Sequence, residues 1–128
     1  MALKPKISII TVVYNSVSLI EGTLKSVLDQ TYSSIEYIII DGASTDGTLS
    51  IIEKYRSQLA VFVSEKDKGI YDAMNKGLEK ASGDYVLFMN AGDLLFDSTT
   101  LEKIFSGNLN ADVYYGHTQI IDLKGNVI

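Results

Sequence analysis

Four short polar segments hold the residues that could do chemistry in this chain: Tyr14-Asn15, Asp41-Gly42, Ser64-Glu65-Lys66-Asp67-Lys68 and Asn90-Ala91-Gly92-Asp93. Each directly follows an apolar run. Asp41 closes Tyr37-Ile38-Ile39-Ile40, where a carboxylate can accept hydrogen bonds from the imide or amide N–H of a base or from ribose hydroxyls. It can equally cap a turn through backbone N–H groups, and position alone leaves the two readings open. Asp93 stands behind the Ala91-Gly92 pair. Hard divalent cations prefer carboxylate oxygens together with substrate phosphate oxygens, so Asp93 is a candidate metal ligand; a solvent-facing turn aspartate is the competing reading. Lys68 could meet a phosphate as a point charge or simply be solvated. Asn75, in a run rich in apolar positions, is either a buried hydrogen-bonder or a ligand contact.

Other chemistries lack their residues. There is no cysteine and only one histidine, His117, which removes thiolate and histidine-based metal sites; His117 reads as surface or strand filler. No G-x-S-x-G segment is present, and Gly42, Gly47, Gly69 and Gly92 form neither G-x-G-x-x-G nor a Walker sequence. The net charge of -5 and the absence of a basic run longer than Lys4-Pro5-Lys6 argue against nucleic acid as a partner, because phosphate binding needs clustered Lys and Arg.

The elements that must position these segments alternate between two periods. Ile7 to Val13, Tyr37 to Ile40, Ala60 to Val63 and Tyr85 to Met89 read as buried strands. Val17 to Gln30, Thr48 to Tyr55, Ile70 to Ala81 and Thr99 to Phe105 read as helices, the first capped by Asn15 or Ser16. Ile70, Ala73, Met74, Gly77, Leu78 and Ala81 fall on one helical face, and Ser82-Gly83 ends that helix. Asp112 to Ile121 reads as a last strand, containing the packing pair Tyr114-Tyr115, with a hairpin turn over Leu123-Lys124-Gly125-Asn126 and a partner strand from Val127. Strand-helix alternation implies an α/β fold, with a mainly parallel sheet and helices on both faces. Ligands of such sheets sit outside the carboxyl ends of the strands, where the four polar segments converge. At 128 residues and 46% hydrophobic, the chain suits a single domain with a real core. No stretch approaches the ~18 apolar residues of a membrane span, and Met1 to Ile10 lacks the apolar region of a signal peptide. A cytoplasmic location is expected.

Read in order, these segments resemble family 2 glycosyltransferases. Thr11-Val12-Val13-Tyr14-Asn15 is similar to the family's T-x-x-Y-N opening, and Ser26 to Tyr32 to its S-v-l-x-Q-t-y helix end. Glu36 to Gly47 resembles E-x-I-v-v-D-D-G-S-x-D-G, Asp72 to Gly77 the A-r-N-x-G helix, and Gly83 to Asp93 the G-e-y-i-x-f-l-D-x-D-D strand. The Asn-Ala-Gly-Asp version and the Gly69 to Gly77 helix resemble a subgroup linked to O-antigen and capsular polysaccharide synthesis. The resemblance implies a Rossmann-like GT-A fold and a nucleotide-diphosphate sugar donor, UDP-linked by preference, with Mg2+ or Mn2+. It implies that Thr11, Val13 and Tyr14 line the nucleotide pocket, that Asp41 reads the base, and that Lys68, Asn75, Asn90 and Gly92 lie by the nucleotide sugar. Asp93 is implied as the metal ligand. Two positions depart from the pattern: Gly42 replaces the second aspartate of the Asp-Asp pair, and Asn90 the first carboxylate of the D-x-D-type motif.

The implied reaction is inverting transfer to a glycan or lipid-linked glycan acceptor, at the inner face of the membrane in a full-length enzyme. The resemblance places the general base beyond residue 128. The expectation is therefore a truncated GT-A domain spanning residues 1 to 128 that mainly binds the donor and is inactive alone. A non-catalytic nucleotide-sugar-binding module is the second reading. A sugar nucleotidyltransferase is the third, disfavoured because the first loop, Tyr14 to Ser18, has neither glycine nor basic residue. Exposed surface could also promote a homodimer.

Overall fold

Apart from Ser8, every residue of Ile7–Val13 is β-branched, a composition that fits a pleated, enclosed surface. In a computed structural model, which describes residues 4–107 and 111–128, this segment is β1 (Ile7–Val13), and all seven residues are buried. The expectations that touch residues 1–3, at the head of the N-terminal stretch, lie outside the described residues. Then follow α1 (Ile20–Leu28), β2 (Ile35–Asp41), α2 (Thr48–Glu53), β3 (Val61–Ser64), α3 (Ile70–Lys80), β4 (Tyr85–Phe88) and α4 (Thr100–Ile104), with a 3-10 turn at Arg56–Gln58. The strands form one sheet in the order β3-β2-β1-β4. All pairings are parallel, with Val13 beside Asp41, Ile40 beside Val63 and Ile10 beside Phe88.

Alternation along the central strands divides the core in two. Ile7, Ile9, Val13, Tyr37 and Ile39 pack with Ile20, Leu24 and Val27 of α1, Ile52 of α2 and Leu101 of α4. Ile10, Val12, Ile38 and Ile40 pack on the opposite face with Ala73 and Met74 of α3. Helices thus cover both faces, as the alternation predicts. The apolar face of α3 is narrower than its spacing implied: Ala73 and Gly77 are buried, whereas Ile70 and Leu78 are about half exposed. At Gly77 an added Cβ would run into Ile10, so the missing side chain lets α3 lie close on the sheet.

Three expectations need correction. Residues 112–121 form no strand: the segment joins an isolated antiparallel bridge between Ile121 and Val127, with Ile128 N–H donating to the Ile120 carbonyl at 3.0 Å. Pairing gives a strand its stability, and among the described residues this segment pairs with no strand of the sheet. The turn beyond it does form, with Asp122 N–H donating to the Asn126 carbonyl at 2.8 Å. Second, α1 begins at Ile20 without a side-chain cap, because Asn15 and Ser16 are used elsewhere. Third, Asp41 is the last residue of β2, inside the ladder rather than beyond it. Tyr114 packs edge-on against Tyr85 and Phe105, while Tyr115 is fully exposed. Among the described residues no helix is long and apolar enough to cross a membrane.

Candidate functional site

Chain order reverses between β1 and β4. The connection from β1 leads to β2 on one side, and β4 returns to the other side. Such a switch point opens a crevice at the carboxyl ends of the strands, bordered here by the loops after β1 and β4.

The loop after β1 is tied to the loop after β2. Asn15 takes a left-handed conformation, φ 43°, which asparagine tolerates better than most residues. Its Oδ1 accepts the Thr45 N–H at 2.7 Å, and its own N–H donates to Ser44 Oγ at 2.8 Å. Ser16 N–H donates to Thr48 Oγ1 and Val17 N–H to Asp46 Oδ2. Hydrogen bonding from the Thr48 hydroxyl, with backbone N–H groups adding to it, lowers the pKa of Asp46. This stitching leaves the Tyr14 ring 62% exposed at the rim.

Asp41 is fully buried and saturated. Oδ1 accepts the Ser44 hydroxyl at 2.5 Å; Oδ2 accepts the Ser44 N–H at 2.9 Å and the Ser64 hydroxyl at 2.8 Å. It therefore ties β2 to β3 and fixes the turn at Ala43, the capping role left open by its position. Beside it, Gly42 is buried under another carboxylate: a Cβ at Gly42 would lie 2.7 Å from Asp67 Oδ2 and 3.4 Å from the Tyr14 ring.

Asp67 belongs to the loop between β3 and α3. Its Oδ1 accepts the Gly69 N–H at 2.9 Å, and Lys68 N–H donates to Asp72 Oδ2 at 2.9 Å. That backbone hydrogen bond, helped by Lys76, lowers the pKa of Asp72. Lys76 lies 3.2 Å from Glu65 and 3.7 Å from Asp72; partial desolvation works against its charge, but these acids raise its pKa. Lys68 and Asn75 are exposed, and among the described residues neither side chain forms a hydrogen bond or ion pair.

The loop after β4 is a tight turn. Asp93 N–H donates to the Asn90 carbonyl at 2.9 Å, and Asn90 N–H to Asp93 Oδ2 at 3.2 Å. Gly92 has φ 103°, a conformation that favours glycine. Its N–H donates to Thr23 Oγ1 of α1 at 2.8 Å, which fixes the turn on the core. Asn90 Oδ1 is buried without a hydrogen-bond partner, an unfavourable state for a polar atom. Among the described residues no group of three His, Cys, Asp or Glu side chains could hold a metal ion. The exposed Asp93 carboxylate and the orphaned Asn90 oxygen nevertheless fit a hard cation that draws its other ligands from substrate phosphates and water.

The structure thus gathers Tyr14, Gly42 and Asp67 at one place, and Asn90, Gly92 and Asp93 in one turn. Thr11 and Val13 are turned into the core: Thr11 is fully buried, with its hydroxyl 2.7 Å from that of Tyr37. Neither side chain offers a contact surface at this edge. Asp67 is the residue sequence reasoning left without a role; its place in the polar segment that follows the third apolar run was the signal that pointed to it.

Residues 8–126 match the Glycosyl transferase family 2 profile. A Bacillus subtilis (strain 168) protein named for teichuronic acid biosynthesis, the glycosyltransferase TuaG, is 43% identical over 93 residues, covering 70% of this chain and 37% of that protein. S. aureus TarS 1-349, solved in complex with UDP-GlcNAc, superposes with a TM-score of 0.71 at 33% identity, over 77% of this chain and 30% of that one. The mannosyltransferase PcManGT from Pyrobaculum calidifontis, solved with GDP-Man and Mn2+, gives a TM-score of 0.71 at 32% identity, over 77% and 31%. The chain spans well under half the length of each of these relatives.

Proposed function

Because this chain belongs to glycosyl transferase family 2, we propose that it forms the donor-binding part of an enzyme that moves a sugar from a nucleotide diphosphate onto a glycan or lipid-linked glycan. The observation that carries this reading is the convergence at one sheet edge of an exposed aromatic ring, Tyr14, and an oxygen-bearing turn, Asn90 to Asp93. The UDP-GlcNAc bound to TarS supports UDP as the carrier and the GDP-Man bound to PcManGT keeps GDP as the alternative. The likeness to TuaG supports a role in surface polysaccharide synthesis.

In this reading the Tyr14 ring offers a face to the base, and Lys68 brings a positive charge toward the diphosphate. Asp93, with Asn90 Oδ1, would hold Mg2+ or Mn2+. When bound, such a cation offsets the charge that grows on the departing diphosphate. Transfer is a single displacement with inversion: the acceptor hydroxyl attacks the anomeric carbon, the nucleotide diphosphate leaves, and a general base takes the hydroxyl proton. A second reading is donor binding without turnover by these 128 residues, and it is favoured by Asn90, a neutral amide where the family pattern carries a carboxylate.

Calorimetric titration of the chain with UDP and GDP, with and without Mn2+, tests the donor site. Tighter binding with Mn2+, reduced about tenfold or more in Asp93→Ala while the fold is kept, is the expected result. Binding of equal strength with and without Mn2+, or unchanged in the variant, would remove the metal role from Asp93. Sugar transfer to an acceptor by the isolated chain would overturn the second reading.

A further inference from the structure

We propose that Asp67, and not Asp41, is the carboxylate that reads the base of the donor. The inference rests on the donor-site reading above and adds to it the residue that sets base preference.

Asp41 is spent. It is fully buried, and its two oxygens already accept three hydrogen bonds, from the Ser44 N–H, the Ser44 hydroxyl and the Ser64 hydroxyl. Turning it toward a ligand would strand the N–H and hydroxyl of buried Ser44 and give up the Ser64 hydroxyl as well, an unfavourable exchange. Asp67 is in the opposite condition. Oδ1 accepts the Gly69 N–H, which fixes the plane of the carboxylate. Among the described residues no group donates to Oδ2, and that oxygen lies over Gly42, beside the Tyr14 ring. Any side chain at position 42 would begin in the space Oδ2 occupies, 2.7 Å away. The glycine therefore makes room for a carboxylate that arrives from the loop after the neighbouring strand.

An aromatic ring beside an unengaged carboxylate oxygen is a pair suited to a nucleobase. The ring stacks on the base, and the oxygen accepts an N–H in the plane of its edge. Uracil offers N3–H there, and guanine offers N1–H. Cytosine presents a lone pair at N3, which a carboxylate repels. The ligand class is thus a nucleoside diphosphate whose base carries a ring imide N–H.

The test titrates the whole chain, with Mn2+ present, against UDP, N3-methyl-UDP, GDP, N1-methyl-GDP and CDP. Wild type should prefer UDP, or GDP, to its methylated form by about ten- to a hundredfold, the range for a hydrogen bond to a charged group. Asp67→Ala should lose that same factor and bind the methylated and unmethylated nucleotides equally. Asp67→Asn, whose amide can donate to cytosine N3, should gain CDP relative to UDP; this gain also guards against a merely misfolded variant. Retained discrimination against the methylated base in Asp67→Ala would overturn the assignment and leave the donor site standing. No discrimination in wild type would mean that no carboxylate reads this N–H. Absence of binding by every nucleotide would overturn the donor-site reading and this one with it.

Discussion

Two carboxylates at one sheet edge differ in what they have left to give. Asp41 is consumed by Ser44 and Ser64, so its removal is a stability event. Asp41→Ala leaves two buried donors, the Ser44 N–H and hydroxyl, and the exposed Ser64 hydroxyl without this acceptor, and should cost on the order of 2–5 kcal/mol in urea unfolding. Nucleotide affinity, measured on the folded fraction, should fall far less than in Asp67→Ala. A loss of stability below about 1 kcal/mol would show that the three donors find other partners. Asp41 and Asp67 also mark how far the site was legible. That polar residues after strands would converge followed from the alternation alone. Which carboxylate remained available did not, because that depends on Ser44, in the loop after β2, and Ser64, at the end of β3, both meeting Asp41. The partner of the Thr11 hydroxyl was hidden for a similar reason: Tyr37 is on another strand, and no spacing within one strand reveals the pairing.

Elements with a strong period were read correctly, and the failures share a cause. β1 and α3 carry their own signal in β-branched content and in helical spacing. Residues 112–121 have strand composition but, among the described residues, pair only at their end through the Ile121–Val127 bridge, so composition alone produced no strand. The ends of the elements depend on tertiary ties, and one of these sits at the amino-terminal edge of the sheet, opposite the site. There Glu36 of β2 accepts Ser8 Oγ of β1 at 2.5 Å, and Ser82 N–H and Oγ, each at 2.8 Å, with Lys6 3.5 Å away. Its side chain is only 11% exposed. Burial pushes its pKa up, but the hydrogen bonds from Ser8 and Ser82, with the charge of Lys6, outweigh it and hold the pKa at about 2 against the ordinary 4.5. A carboxyl with a lowered folded pKa stabilises above its unfolded value and loses that contribution as pH falls through the folded one. The tie is thus complete above pH 4.5 and lost toward pH 2, a difference on the order of 2–3 kcal/mol. Glu36→Gln should therefore be less stable than wild type at pH 7 and flatter in its dependence between pH 5 and pH 2, read by urea midpoints. Parallel curves for the two proteins would remove Glu36 from the acid transition.

Across the whole molecule, stability is unevenly distributed, and this bears on where binding can be seen. β1 and β2 are central in the sheet, hydrogen-bonded on both edges, and buried on both faces through α1, α2 and α4 on one side and α3 on the other. Their amides can exchange only through opening of the entire sheet. The stretch 111–128 is held by far less. Tyr85 donates to the Ala111 carbonyl, Tyr114 packs on Tyr85 and Phe105, and one bridge joins Ile121 to Val127. Tyr115 and Leu123 lie almost wholly in solvent. Hydrogen exchange should therefore show the slowest amides in β1 and β2 and near-unprotected amides over 111–128. Adding UDP with Mn2+ should slow the loops 14–17, 67–70 and 90–93, whose backbone frames the edge. Exchange over 111–128 should not change, because none of its residues belongs to that frame. Protection rising there instead, with the three loops unaffected, would move the nucleotide to the aromatic pocket between β4 and α4 that Tyr85, Phe105 and Tyr114 line, and away from the carboxyl edge altogether.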